Sequence, residues 1–271
     1  MRAISTVVDV TVFLLFVSAA VATLTAAPDS HPEPVVVDDQ AALLASSTAN
    51  VEYSLRASNR TAHGTVASLL ARGAVANATI DGRRLSAGHA DYLEEVSDAT
   101  RQTLGPPDRT QVLVRWEPYR GAPVSGTVTV GADPPPGRDV TVATISVPGP
   151  PTPGQGRESP TREGFDGVAG IAARATADAL LPGGYATLPS GRVSPASVAS
   201  FARMRTLAEA TGTAIDRPLA RGTLSTARER VIAGLAARYE RDMRDRFETP
   251  ANATDALSTG SVRITVRRWE S

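Results

Sequence analysis

The chain has 271 residues and 42% apolar content, enough to bury one or two ordinary cores. Its 28 basic and 28 acidic side chains cancel, so the electrostatic footprint of a nucleic-acid-binding protein is missing and no nucleic-acid partner is expected. Cysteine is absent, which excludes disulfides and thiolate metal sites, and every basic side chain is arginine, which excludes a phosphate loop built around lysine.

From Val7 to Ala27 the sequence is mostly Val, Leu, Phe and Ala, interrupted by Asp9 and a few Ser and Thr. A membrane helix needs about 20 mostly apolar residues, and lipid forces the backbone to satisfy its own hydrogen bonds, so residues 1–27 read as a transmembrane anchor. Pro28, Pro32 and Pro34 end it. Arg2 is the nearby positive charge, which leaves the amino terminus in the cytoplasm and sends the rest outside. The expected location is the cell membrane, single-pass, with an extracellular ectodomain. A secretory signal cut after Thr25-Ala-Ala27 competes, although Pro28 suits a peptidase poorly, and a buried core helix is the third reading.

Asp9 is costly in lipid unless it lies near an interface or meets a partner. It either caps the helix at the cytoplasmic headgroups or pairs with a positive group on a neighbouring anchor. Ser18, Ala22 and Ala26 form a stripe of small residues that lets another helix approach closely. Membrane lipid and other anchors of the same kind are therefore the expected partners.

The run Arg2-Ala-Ile-Ser-Thr-Val-Val-Asp9, followed by its apolar segment, resembles the N-terminal signature of haloarchaeal type IV pilins and pilin-like proteins, which begin Arg-Ala-Val-Ser-Pro-Val-Ile-Gly. The resemblance covers about the first 25 residues. It implies a helix that anchors a subunit among its neighbours, and processing by a prepilin-type peptidase near Ala3 and Ile4. On this reading the chain is similar to haloarchaeal type IV pilin-like membrane proteins of unknown function.

Residues 28–38, rich in Pro and acid, read as an extended stalk, and residues 39–271 as one α+β ectodomain. Asp39–Ser47 predicts a short helix. Val51, Tyr53 and Leu55 alternate with polar residues as in a half-buried strand, and Thr61 to Ala76 reads as a helix. Asp81-Gly82 marks a turn and Ala90–Leu104 a second helix. Gln111–Trp116, Gly126–Val130 and Asp139–Val147 predict three strands, arranged most simply as an antiparallel meander.

Residues 148–160 are a Pro/Gly-rich loop without periodicity. Helices follow over Glu163–Leu181, after the Ser194-Pro195 start signal, and from a capping box at Thr226–Glu229 to Glu248. Arg238–Asp242 and Glu240–Arg244 stand at i, i+4 on the last of these. Ser261–Trp269 closes the chain as a strand that returns to the sheet. The expected fold class is α+β: an N-terminal transmembrane helix followed by an ectodomain with an antiparallel sheet packed by helices.

Chemistry is sparse. His31, His63 and His89 have no metal-ligand spacing, and no nucleophile elbow exists. His89, Asp91, Glu94 and Glu95 gather at a helix start, a pattern that fits a solvated first turn better than a metal site. Gly164, Gly167 and Gly170 read as close helix packing, and Arg217, Arg221, Arg228 and Arg230 as a solvated basic face. No catalytic, cofactor-binding or metal-binding residues are assigned, and no cofactor is expected. Asn59, Asn77 and Asn252 each stand in N-x-T form, candidate N-glycosylation sites on an exported chain. The expected function is a membrane-anchored extracellular structural or interaction protein, a minor pilin-like subunit or an assembly accessory. A membrane-tethered surface enzyme or a ligand-binding module is the alternative.

Overall fold

A computed structural model describes residues 37–55, 58–105, 109–149, 164–181 and 195–270. The chain divides into Met1–Val36 and Val37–Ser271. The first unit lies outside the described residues, and with it the expected anchor, Asp9, the Ser18/Ala22/Ala26 stripe, the Ala3–Ile4 processing position and most of the stalk.

The expected fold class needs correction. The described fold is α+β with antiparallel sheets, and among the described residues no helix is long and apolar enough to cross a membrane. The reason is visible in Leu224–Arg246, which has length enough at 23 residues but carries Arg and acid along most of its course.

The second unit opens with α1 (Val37–Ser46), which begins inside the stretch read as stalk. A hairpin of β1 (Thr48–Leu55) and β2 (Ser58–Thr65) follows. Helix α2 (Val66–Ala76) therefore starts five residues later than its periodicity suggests. Thr65 sets that start, its hydroxyl accepting from the Ser68 amide at 3.2 Å. Next come β3 (Ala78–Ile80) and β4 (Arg83–Arg84), joined across Asp81 and Gly82, both at positive φ as the tightest hairpin turns require. Helix α3 is Ala90–Leu104, and β5 (Thr110–Trp116), β6 (Val124–Val130) and β7 (Val140–Pro148) follow it.

The remainder is α4 (Gly164–Leu180), α5 (Pro195–Thr211), α6 (Asp216–Ala220), α7 (Leu224–Arg246), α8 (Pro250–Asp255) and β8 (Ser261–Trp269). The six-stranded sheet has the order β4-β3-β6-β5-β8-β7, antiparallel throughout. The simple meander is thus corrected, because β8 inserts between β5 and β7. The final strand does return to the sheet.

Strand alternation gives the sheet two unlike faces. On the inner face the rows Val130–Val112–Val266–Ala143 and Val128–Val114–Ile264 are buried, and α1 and α2 pack over them. Each of these Val and Ile side chains stabilises the fold by about 1.5–3 kcal/mol, and Ala143 by less. Gly126 lets α2 come close, since a Cβ there would stand 1.9 Å from the Ala74 carbonyl oxygen. Helices α4 and α7 pack side by side through Ala172, Ala173, Leu235 and Tyr239. Thr176 Oγ1 meets the Tyr239 hydroxyl at 3.1 Å within that contact.

Three local expectations also change. Helix α7 begins at Leu224 with Thr223 as its cap, and no capping box forms at Thr226. Arg238 reaches Asp81 at 2.7 Å instead of Asp242, tying α7 to the β3–β4 turn. Gly170 has nothing within 4 Å of where a Cβ would sit, so it does not serve close packing.

Candidate interaction surface

The outer face of the six-stranded sheet is exposed among the described residues. Thr127 and Thr129 on β6, Arg115 on β5, Arg263 on β8 and Val142, Thr144 and Ser146 on β7 all stand exposed on it. An antiparallel sheet tolerates one solvated face when its outward residues are polar, and the Thr, Ser and Arg pattern provides that. Arg115 and Arg263 lie directly opposite each other across β5 and β8. Glu117, 7% exposed at its side chain, offsets one of them by pairing with Arg115 at 2.9 Å while accepting from the Gly121 amide at 3.0 Å. Arg267 donates to Gln111, which in turn donates to Asp133 at 2.6 Å. Arg263 has no ion pair among the described residues, so the middle of this face is net positive.

Concave features are fewer. One is an open polar cleft of about 320 Å³ between the β1–β2 hairpin and α3, lined by Glu52, Tyr53, Arg60, Asp91 and Glu95 among others. Asp91 accepts from the Ser54 amide at 2.5 Å, which fastens the hairpin to α3. Near Trp116 and Thr176 an enclosed space of about 10 Å³ holds at most one water.

Two buried polar nodes fix the helices around the sheet. Arg203 on α5, 9% exposed, donates through Nε to Ser86 Oγ at 3.1 Å and through Nη1 to the Leu180 carbonyl at 3.3 Å, completing the C-terminal end of α4. Its Nη2 lies 3.5 Å from His89 Nε2. A guanidinium only donates, so Nε2 must accept and the imidazole proton belongs on Nδ1, a buried atom without a partner. Burial first and the Arg203 charge second lower the His89 pKa to about 4. Burial also lowers the Arg203 pKa.

The second node is Tyr119, whose hydroxyl donates to Asp242 Oδ2 at 2.9 Å. Arg246 holds the same carboxylate by Nε at 3.2 Å and Nη2 at 3.1 Å. Burial, and then the bond to Asp242, push the Tyr119 hydroxyl far above its ordinary pKa, so it stays a neutral donor.

His89, Asp91, Glu94 and Glu95 do not converge, and no metal-binding group of three or more ligand residues exists among the described residues. His89 turns to Arg203, while Asp91 and Glu95 line the cleft. His63 stands exposed on β2, and His31 lies outside the described residues. Arg228 pairs with Asp178 on α4 and Arg230 donates to the Ala214 carbonyl at 3.0 Å, so these two members of the expected solvated basic face join elements instead.

Among the sequon residues, Asn59 is exposed on β2 and Asn252 is exposed in the first turn of α8. Asn77 donates its side-chain amide to the Thr127 carbonyl at 2.8 Å. Arg203 escaped the sequence reading. Its signal is an arginine inside the buried arc that Ser200, Met204 and Leu207 define on α5.

These features define an α+β domain whose antiparallel sheet is covered by helices on one side and, among the described residues, open on the other. The chain belongs to the family of unknown function DUF7284, whose model matches residues 8–269. No curated protein and no solved structure matches it.

Proposed function

We propose that this chain is a structural or interaction protein without catalytic activity, working at the outer side of the cell membrane. The observation that carries the reading is the open face of the sheet. A broad, regular surface bearing Thr127, Thr129, Thr144, Arg115 and Arg263 suits contact with another macromolecule better than it suits enclosing a substrate. The membrane part of the proposal is supported by the apolar sequence of residues 7–27 alone. The finer reading, a minor pilin-like subunit or assembly accessory of haloarchaeal type, is supported only by Arg2–Asp9, and mass spectrometry of the membrane-derived amino terminus tests it. An intact Met1 would remove pilin-type processing.

The open polar cleft favours a ligand-binding module as the second reading. Tyr53, Arg60, Asp91 and Glu95 offer a ring and both charges to a polar ligand.

Capture of the tagged full-length chain from native membranes, with wild type beside Arg263→Glu, tests the main reading. Association that falls at least fivefold in the variant supports it. A chain that recovers neither itself nor any other protein, in either form, contradicts it.

A further inference from the structure

The two edges of the six-stranded sheet are treated very differently. At one end β4 is two residues long, both arginine, and Arg83 is ion-paired with Glu209 at 2.8 Å. Short length and charge are the usual means by which an edge resists pairing with another strand. At the other end β7 runs nine residues, Val-Thr-Val-Ala-Thr-Ile-Ser-Val-Pro, without one charged side chain, although 21% of the whole chain is charged. Val142 is 53% exposed there and Val140 37%. Only β8 pairs with β7 among the described residues, so alternate backbone N–H and C=O groups on its outer side have no strand partner there. Its composition resembles that of β6, which is paired on both sides.

We propose that the chain self-associates through this edge, a second copy adding its own Val140–Pro148 strand antiparallel across a two-fold axis near Thr144. The inference rests on the interaction reading above and names the partner. A second copy is the occupant that the sequence of β7 suits. Across such an axis the central residue meets itself, so a charge there would repel its own copy. Centred on Thr144, the pairing sets Val142 against Ser146 and Val140 against Pro148 on the open face, and Ala143 against Ile145 on the core face. Every one of these pairs is uncharged. Ile145 and Val147, half-buried in the single chain, gain apolar cover, and the backbone bonds of the edge are completed.

The absence of cysteine makes the test direct. Neighbouring antiparallel strands hold paired Cα atoms about 4.5–5.5 Å apart, within the range a disulfide spans. Full-length chains carrying Val142→Cys, Thr144→Cys or Ser146→Cys are oxidised in their own membranes beside Thr129→Cys, which sits on the sheet face away from the edge. The expected result is a covalent dimer that peaks at Thr144→Cys, where the residue meets its own copy, at least tenfold above Thr129→Cys. Adding Val142→Lys to the Thr144→Cys chain should then cut the yield at least tenfold. Val142 is exposed, so the thermal midpoint of that variant should stay with its parent and exclude misfolding.

Equal cross-linking at Thr129→Cys, or none at any β7 position, overturns the inference. If the chain still captures another protein in that case, the interaction reading stands and the partner is not a second copy. If it captures nothing, both fall.

Discussion

His89 is the residue whose burial has the clearest consequence. Its pKa of about 4 in the fold lies below the ordinary 6.5, so between those values the unfolded chain binds a proton that the native chain refuses. Stability from this residue is therefore present above pH 6.5 and lost as pH falls through 4. Urea unfolding of wild type and His89→Asn between pH 7 and pH 4 reads the effect. The variant should lose less stability on acidification, and parallel curves would show that His89 is not held neutral. Tyr119 gives a second expectation at this scale. Tyr119→Phe removes the bond to Asp242 while Arg246 keeps its grip on that carboxylate, so unfolding free energy should drop by about 1–2 kcal/mol. An unchanged denaturant midpoint would contradict that hydrogen bond.

Among the elements, the approach of α2 to β6 is the tightest point. A Cβ at Gly126 meets backbone on the other side, not the end of a flexible side chain, so Gly126→Ala has to move the helix or the strand. A loss of about 2–4 kcal/mol by chemical denaturation is expected, and a loss below about 0.5 kcal/mol would mean the two elements stand further apart. The same elements show what the sequence revealed and what it hid. α3, α4 and α7 were legible because each buries one stripe at helical spacing, as Ile232, Leu235, Tyr239 and Met243 do. β2 was not, since Ser-Asn-Arg-Thr-Ala-His-Gly-Thr carries no apolar alternation and becomes a strand by pairing with β1. Pairing partners also escaped. Nothing in the local pattern of Ser261–Trp269 says that it lies between β5 and β7, because that placement is decided by contacts far apart in the chain.

At the scale of the whole molecule, the open sheet face and the uncharged edge of β7 are two aspects of one arrangement. Helices cover one side of the sheet, and the chain spends no described element on the other. The site was not legible in the sequence for that reason. The Thr, Ser and Arg side chains that compose it are individually ordinary surface residues, and they become a surface once register brings Arg115 opposite Arg263 and Thr144 opposite Thr265. Glycosylation belongs to this scale too. If the domain is exported, Asn59 and Asn252, both exposed, should carry glycan, while Asn77, engaged with Thr127, should carry less. Intact-mass analysis of the native protein reads this, and unmodified asparagine at all three would count against export in a glycosylating cell.

The measurement that bears most directly on the interaction reading is quantitative comparison of what the tagged full-length chain retains from native membranes, wild type against Arg263→Glu. The reading predicts a defined set of associated chains in the wild type and at least a fivefold loss in the variant, with the thermal midpoint unchanged. Recovery of the chain alone from both samples would contradict it.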